Sequence, residues 1–495
     1  MKIGFVYNGT ESLGIEYISS YLKSKGHKTQ LFFDKAVFSS DIFINSKILA
    51  NFCNADLRII RSILNSDIDV LGFSVFTGNY KWCLKISNIV KKHKKKIKIV
   101  FGGVHVSALP RDVLKNKSVD FVIIGEGEFA FNDLLENINN NKKLSTISNL
   151  GLRLKGKIII NLPRDYIKNL DVLPFPDKEM FYNAEPILKQ NPYLIGSSRG
   201  CPYNCTYCSN NMYKHLYSQE HLHIRQRSPE NVVEELVWAK KKFNIKQVYF
   251  TDDVFTFNFD WLKKFARLYK RKVNLPYFCL VHPLLIDNEK AKLLKNSGCY
   301  LVGMGVQSGS ERIRKEIYKR FESNEDIKKA MLCLKDNGLK VQIDHIFGSP
   351  TEEEIDLANS LNLYEDINPD ILLTFWLTYY PKTEIVEIAK SKGELSNESI
   401  KEMREGNVGY THGSGSVNKN VALCKKYELM FQLIPIIKND FMREIIWDSL
   451  DFIPMKKLLT NIIYTYSGLK YNRKYILNKF KYAFKNILFE NRLIK

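Results

Sequence analysis

The chain has 495 residues, 45% hydrophobic and 26% charged, with a formal net charge of +21 at pH 7. That length allows two to four domains with ample core, and the composition is that of a soluble globular protein. Nine cysteines are too few and too irregularly spaced for a secreted disulfide framework, and no run of about eighteen uncharged apolar residues marks a membrane span.

Met1-Lys2-Ile3-Gly4-Phe5-Val6 begins a strand without a signal-peptide layout, so a reducing cytoplasm is the expected compartment. The positive charge could serve nucleic acid or an anionic membrane surface. Lys recurs with Asn and Ile along the whole chain, however, as in a general compositional bias, and no nucleic-acid partner is expected.

From Met1 to about residue 140, short apolar runs alternate with amphipathic stretches. Lys2 to Tyr7, Thr29 to Phe33, Asp69 to Val75, Ile97 to Phe101 and Asp120 to Ile124 read as strands. Ile15 to Lys25 and Tyr80 to Lys92 carry apolar residues at helical spacing. The alternation predicts a doubly wound parallel sheet of five strands, like flavodoxin, with ligands at the carboxyl ends of the strands. Those ends supply the candidate binding residues Asn8, Gly14, Ser74, Thr77, Gly102, Gly103, His105, Gly125 and Glu126. His105 reads either as a metal ligand or as a loop histidine bonded to backbone or cofactor amides. Cys53 and Cys83 read as packed thiols.

Leu152 to Ile160 alternates around a Lys-Gly turn and predicts a small hairpin, and Leu173-Pro174-Phe175-Pro176-Asp177 forces an extended path. Then comes Ser197-Ser198-Arg199-Gly200-Cys201-Pro202-Tyr203-Asn204-Cys205-Thr206-Tyr207-Cys208, with three cysteines in eight residues on a Gly/Pro loop. Thiolates in this arrangement bind iron or zinc. Structural zinc takes four ligands, commonly as paired C-x-x-C hooks, and no fourth cysteine is near. Three ligands on a four-iron cluster would leave one iron open for a substrate or cofactor. Buried apolar cysteines or a zinc loop are the plainer alternatives.

After this loop the βα rhythm resumes. Strands are predicted at Gln247 to Phe250, Tyr277 to Val281, Tyr300 to Val306, Val341 to Phe347 and Ile371 to Leu377. With the strand leading into Cys201 these make six, a partial (β/α)6 TIM barrel whose active groups lie at the strands' C-terminal ends. Thr251, Asp252, Asp253, Gln307, Ser308 and Glu352 stand at such ends. Asp252 and Asp253 could instead cap the next helix. Arg312 and Arg314 could reach a cofactor carboxylate or be solvated helix residues. Gly406 to Val417, with His412, reads as a lid or a plain linker. From Met455 to Lys495 there are ten Lys or Arg and one acid, and Ile476, Phe480, Phe484 and Ile487 form one helical stripe that could pack on the barrel.

The C-x-x-x-C-x-x-C loop resembles the radical SAM superfamily. Gly102-Gly103-Val104-His105 and Val119 to Glu128 placed ahead of it resemble the cobalamin-binding radical SAM proteins, over roughly residues 1 to 400. The resemblance implies a Rossmann-like cobalamin-binding domain at 1–145, a connector at 146–190, a radical SAM core at 191–400 and a basic, helical C-terminal region at 401–495. It implies that Cys201, Cys205 and Cys208 hold a [4Fe-4S] cluster whose free iron chelates S-adenosylmethionine. Tyr207 would lie near the adenine, Thr251, Asp252 and Asp253 near the methionine amino end, and Gln307, Ser308 and Glu352 along the same cofactor. Many relatives have Glu where Gln307 stands. The Asp-x-His-x-x-Gly motif that carries an imidazole to cobalt in other corrinoid proteins is missing. The expected activity is methylation of an unactivated carbon, under anaerobic conditions, of a small molecule of lipid or natural-product type. An external flavodoxin- or ferredoxin-like reductant would serve the cluster. The alternatives are an oxidative cyclase of the Mg-protoporphyrin monomethyl ester type, a non-catalytic cobalamin carrier or sensor and, prompted by charge alone, a nucleic-acid modifier.

Overall fold

The computed structural model describes residues 1–34, 55–217, 224–407, 420–437 and 439–449. Cys53, the segment from residue 408 to Val417 with His412, and the stripe from Ile476 to Ile487 lie outside the described residues.

The first sheet has seven strands in the order β2-β1-β3-β4-β5-β6-β7. They are β1 (Lys2–Asn8), β2 (Lys28–Asp34), β3 (Val70–Ser74), β4 (Lys98–Gly102), β5 (Phe121–Ile123), β6 (Leu150–Leu154) and β7 (Lys157–Ile160). The five expected strands pair in parallel, in the 2-1-3-4-5 order of a flavodoxin-like sheet. The count of five is corrected by the hairpin, which adds β6 antiparallel to β5. Leu150 and Leu152 lie opposite Ile123 and Phe121 and bury with them. Lys155 and Gly156, both at positive φ, make the tight turn. Cores form on both faces. Ile59, Ile63, Cys83 and Ile86 cover one, and Ile15, Leu22 and Leu134 the other. Cys83 is fully buried, as a packed thiol.

The second sheet is formed by β8 (Tyr193–Ile195), β11 (Val248–Phe250), β12 (Tyr277–Val281), β13 (Cys299–Gln307), β14 (Lys340–Phe347) and β15 (Ile371–Trp376). All neighbours are parallel, and strand order follows chain order. This is the expected open six-stranded (β/α) sheet. Between β8 and β11 the chain makes a separate antiparallel ribbon, β9 (Ser198–Arg199) with β10 (Arg225–Gln226). Alternation sorts the side chains: Val341, Ile343 and Phe347 of β14 enter the core under the helices, while Gln342, Asp344 and Ile346 take the opposite, lumen face.

The outer helices are capped by side chains. Ser228 accepts from Asn231 N–H, Asn258 from Trp261 N–H and Asp287 from Lys290 N–H. Because Asn258 caps the helix Phe259–Lys272, Asp252 and Asp253 do not, and that alternative is corrected. Beyond the barrel, Asn397–Arg404 returns to the first domain, where Arg404 pairs with Asp112. The helices Val421–Leu433 and Asp440–Ser449 follow, the first packing on Glu354–Ile367 and β15.

Candidate functional site at the facing strand ends

The carboxyl ends of the first sheet and of β8 and β11 in the second open onto one cavity. From the first domain it is lined by Gly14, Ser74, Gly102, Gly103, Gly125 and Glu126, and from the second by Ser198, Arg199, Gly200, Asn210 and Thr251. Its deep end reaches Phe5, Gly72 and Phe131, between the sheet and the helices Leu13–Ser24 and Glu128–Asn139. A Cβ on Gly72 would stand 3.2 Å from the Phe5 ring and 3.3 Å from Phe131, filling this slot. Gly103 has φ +104, and a Cβ there would meet the Val75 carbonyl oxygen at 2.6 Å. Only glycine lets the backbone lie so close. The cavity thus fits a large ligand laid across the loops with part of it inserted beside the sheet.

Other candidates from the first domain do not reach the cavity wall. Asn8 Oδ1 accepts from Asn79 Nδ2 at 3.2 Å. Thr77 Oγ1 lies 3.2 Å from His105 Nδ1, and both residues are buried. The His105 ring packs on Tyr80 with centroids 4.3 Å apart, and burial lowers its pKa to about 4. The arrangement observed is a buried loop histidine engaged through Nδ1, with its Nε2 unpartnered among the described residues. Glu126 lines the cavity, but its carboxylate is committed. Oε1 accepts from Arg199 at 2.8 Å and Arg225 at 2.9 Å, and Oε2 accepts from Ile167 N–H at 2.9 Å.

The cysteine loop is gripped by its own domain. Thr206 Oγ1 donates to the Ile317 carbonyl at 2.6 Å, and Lys214 donates to the carbonyls of Pro202 and Tyr203 and to Asn204 Oδ1. Burial pushes the Cys201 thiol up to about 12 and the Cys208 thiol up to about 11, so both are neutral until a metal displaces their protons. Arg320 supplies positive charge: Nη1 lies 3.8 Å from Cys205 Sγ and Nη2 donates to the Gly305 carbonyl at 2.6 Å, with Glu322 as its buried partner. The π-helical turn Ile313–Ile317 precedes Arg320; such turns add one residue to a helix and occur often at functional sites. Among the described residues no three His, Cys, Asp or Glu side chains converge on a point as a single ion requires. A four-iron cluster instead takes one thiolate on each ligated iron, which suits three cysteines spread along a loop.

The remaining predicted residues of the second domain fall into distinct settings. Tyr207 meets Tyr318 edge-on at 4.9 Å. Asp252 turns under the loop, accepting from Ser197 N–H at 3.0 Å, Ser197 Oγ at 2.7 Å and Ser198 Oγ. Asp253 accepts from Asn210 Nδ2 at 2.9 Å. Gln307 ends β13 at φ +70, after the bulge that disrupts pairing with β14. Ser308 is buried, its Oγ 3.5 Å from Ser360 Oγ and accepting from Ser310 N–H at 3.2 Å. Glu352 Oε2 accepts from Gly348 N–H at 2.8 Å; burial pushes its carboxyl up to about 8, and buried Oε1 has no partner among the described residues. An orphaned, protonated oxygen fits a polar group of a ligand.

The two flexible cations from the sequence are instead structural. Arg314 is fully buried, bonded to the Ser308 carbonyl and Asn324, and Arg312 pairs with Asp356. The solvated reading is corrected for Arg314, whereas Arg312 remains partly exposed beside Asp356. Sequence reasoning missed Arg225, Arg320 and Tyr217 and gave Arg199 no role, for their partners lie far off in the chain. It also missed Asp344, which the period-two alternation of β14 placed on the lumen face. There Gln342 donates to it at 2.9 Å and burial raises its pKa to about 6.

The Radical SAM superfamily model matches residues 195–364, and the B12 binding domain model matches residues 4–135. An uncharacterized methyltransferase of Pyrococcus horikoshii is 28% identical over 342 residues, covering 67% of this chain and 71% of the relative. The cytidylyl-2-hydroxyethylphosphonate methyltransferase of Streptomyces wedmorensis is 26% identical over 381 residues, covering 69% of each chain. Anaerobic magnesium-protoporphyrin IX monomethyl ester cyclases also match, at 21 to 22% identity. Among solved structures, the cobalamin-dependent S-adenosylmethionine radical enzyme OxsB with aqua-cobalamin bound superposes with a TM-score of 0.68 at 17% identity, covering 94% of this chain and 73% of that one. The likeness is one of fold.

Proposed function

The chain belongs to the B12-binding-domain-containing radical SAM proteins, and from that premise we propose that it is a methyltransferase acting on an unactivated carbon of a small molecule. The observation that carries the reading is one cavity lined by the first domain's glycine loops and by Ser198, Arg199, Gly200 and Asn210, the residues that flank the second domain's cysteines. When bound, the cluster with S-adenosylmethionine supplies a 5'-deoxyadenosyl radical, and the corrinoid supplies a methyl group.

The residues have separable tasks in this proposal. Cys201, Cys205 and Cys208 would each hold one iron, with Arg320 offsetting thiolate charge beside Cys205. Thr251, Gln307 and the protonated Glu352 would receive polar groups of S-adenosylmethionine at the strand ends, and Tyr207 would wall its ring system. Gly14, Ser74, Gly102, Gly103 and Gly125 would let the corrinoid lie against backbone. Tyr249, Leu280 and Leu373 are half-buried beside Phe278 and Leu301 in one apolar cluster of the barrel, which suits a substrate with an apolar face. Asp344 offers that substrate or its neighbour one acceptor. A reducing cytoplasm and a flavodoxin- or ferredoxin-like electron donor complete the proposal.

Ring closure is the second reading, because cyclases are among the relatives. Anaerobic turnover with substrate separates the two. Methylation forms 5'-deoxyadenosine and S-adenosylhomocysteine together, whereas ring closure forms deoxyadenosine without stoichiometric S-adenosylhomocysteine. The second outcome would remove the methyltransferase proposal.

A further inference from the structure

The ribbon that leads into the cysteine loop is joined by ion pairs to the first domain. In it Arg199 is directly opposite Arg225, and directly opposed residues of an antiparallel pair put their side chains on the same side. Two guanidiniums so placed repel each other. The first domain resolves this with one oxygen: Glu126 Oε1 stands 2.8 Å from Arg199 Nη1 and 2.9 Å from Arg225 Nη1. Glu128 takes the other arm of Arg199 at 2.5 Å. Charge-assisted pairs of this kind, largely removed from water, hold geometry more strictly than exposed ones.

The far side of the cysteine loop ends on the same residue. Nine residues after Cys208, the Tyr217 hydroxyl accepts the Glu126 backbone N–H at 2.9 Å. It fits there because residue 125 is glycine; a Cβ would stand 2.0 Å from the Tyr217 Oη. Tyr217 is itself stacked on Tyr166, with centroids 3.8 Å apart, and Arg225 lies over Tyr166 at 4.3 Å. The segment bearing all three cysteines is therefore tied at both ends to Glu126, on the loop that follows β5.

We infer that Glu126 is a positioning residue: its carboxylate, by joining Arg199 to Arg225, fixes the spacing between the cysteine loop and the cobalamin-binding loops, beside a backbone tie to Tyr217 that any residue with a backbone N–H at 126 would keep. The inference rests on the proposed function, since it concerns two cofactors facing each other. It assigns to Glu126 a role different from direct contact with cobalamin, because the carboxylate already serves three donors.

The test uses the full chain, loaded with cluster and cobalamin, and needs no substrate. The reduced cluster and cob(II)alamin each carry unpaired spin, and their dipolar coupling falls with the cube of their separation. Wild type is expected to give one resolved coupling. Glu126→Gln should retain both cofactors but lose that resolved coupling to a broad distribution of distances. The double variant Glu126→Gln with Arg225→Gln removes the repulsion, provides a folded form if the single variant does not fold, and should show the same broadening. A folded variant with wild-type coupling would overturn the inference. So would loss of cobalamin with the cluster intact, which would make Glu126 a cofactor ligand. A wild-type protein lacking either signal would instead sink the functional reading itself.

Discussion

Arg199, two residues ahead of Cys201, places Nη1 2.8 Å from Glu126 Oε1, so the approach to the cysteine loop is fastened to the loop after β5 of the other domain. Neither partner is surface decoration. The Glu126 carboxylate also accepts from Arg225 and from Ile167 N–H, and the Arg199 guanidinium lies 5.5 Å from the Tyr17 ring centroid. The relationship puts the two strand-end loops on one scaffold.

The cysteine loop is expected to carry all of the iron. Changing Cys201, Cys205 and Cys208 together to Ala should leave a folded chain without the cluster's visible absorption, since no other cysteine lies near in sequence. Iron analysis of anaerobically prepared protein checks this. Four irons per chain in the triple variant would assign the cluster elsewhere.

Arg320 is expected to tune that cluster. Arg320→Met removes the cation 3.8 Å from Cys205 Sγ and leaves buried Glu322 without its partner. Breaking such a pair costs about 3–5 kcal/mol. Losing a positive charge disfavours the reduced, more negative cluster, so its reduction potential should fall. Pairing the change with Glu322→Gln, which removes the opposing charge, should restore most of the stability and part of the potential. Spectroelectrochemical titration of both variants reads the shift, and an unchanged potential would remove Arg320 from the cluster's surroundings.

His105 is expected not to bind cobalt. Its ring is buried against Tyr80 and its Nδ1 faces Thr77. Cob(II)alamin bound to wild type and to His105→Asn should give the same paramagnetic spectrum, without nitrogen splitting from a protein ligand. Splitting that disappeared in the variant would make His105 a ligand. The stability cost of the change should be about 1–2 kcal/mol, that of a buried hydrogen bond and some lost packing.

Glu352 gives a pH dependence with a definite sign. Its folded carboxyl is raised by burial to about 8 from an ordinary 4.5, so its contribution to stability is complete below pH 4.5 and is lost as pH rises towards 8. The slope is about 1.4 kcal/mol per pH unit for one group inside that window. Glu352→Gln keeps a neutral side chain of the same shape and should flatten the decline. Chemical denaturation of both proteins at pH 5, 7 and 9 checks this; parallel curves would show that Glu352 does not titrate there.

Much of the framework was legible because its signals are local. Strand alternation and helical spacing located both parallel sheets, and three cysteines in eight residues drew attention to the loop before any partner was known. The hairpin was legible as a hairpin, but its place beside β5 depends on Leu150 and Leu152 meeting Ile123 and Phe121 across the sheet. Polar residues at strand ends were found by position, yet position does not reveal which way a side chain is engaged. Asp252 is drawn under the loop by Ser197 and Ser198, and Glu126 is claimed by two arginines 73 and 99 residues away. Such pairings are set by tertiary geometry, and no local pattern in the sequence encodes them.

The central claim, that this chain transfers a methyl group through its paired domains, is tested most directly with S-adenosylmethionine labelled in its methyl group. The substrate is first sought by comparing metabolites of the producing cell with and without the gene. Anaerobic turnover by the protein carrying cluster and cobalamin should then place the label in the product, with 5'-deoxyadenosine and S-adenosylhomocysteine formed alongside. A product that carries no label and arises with deoxyadenosine alone would contradict the account.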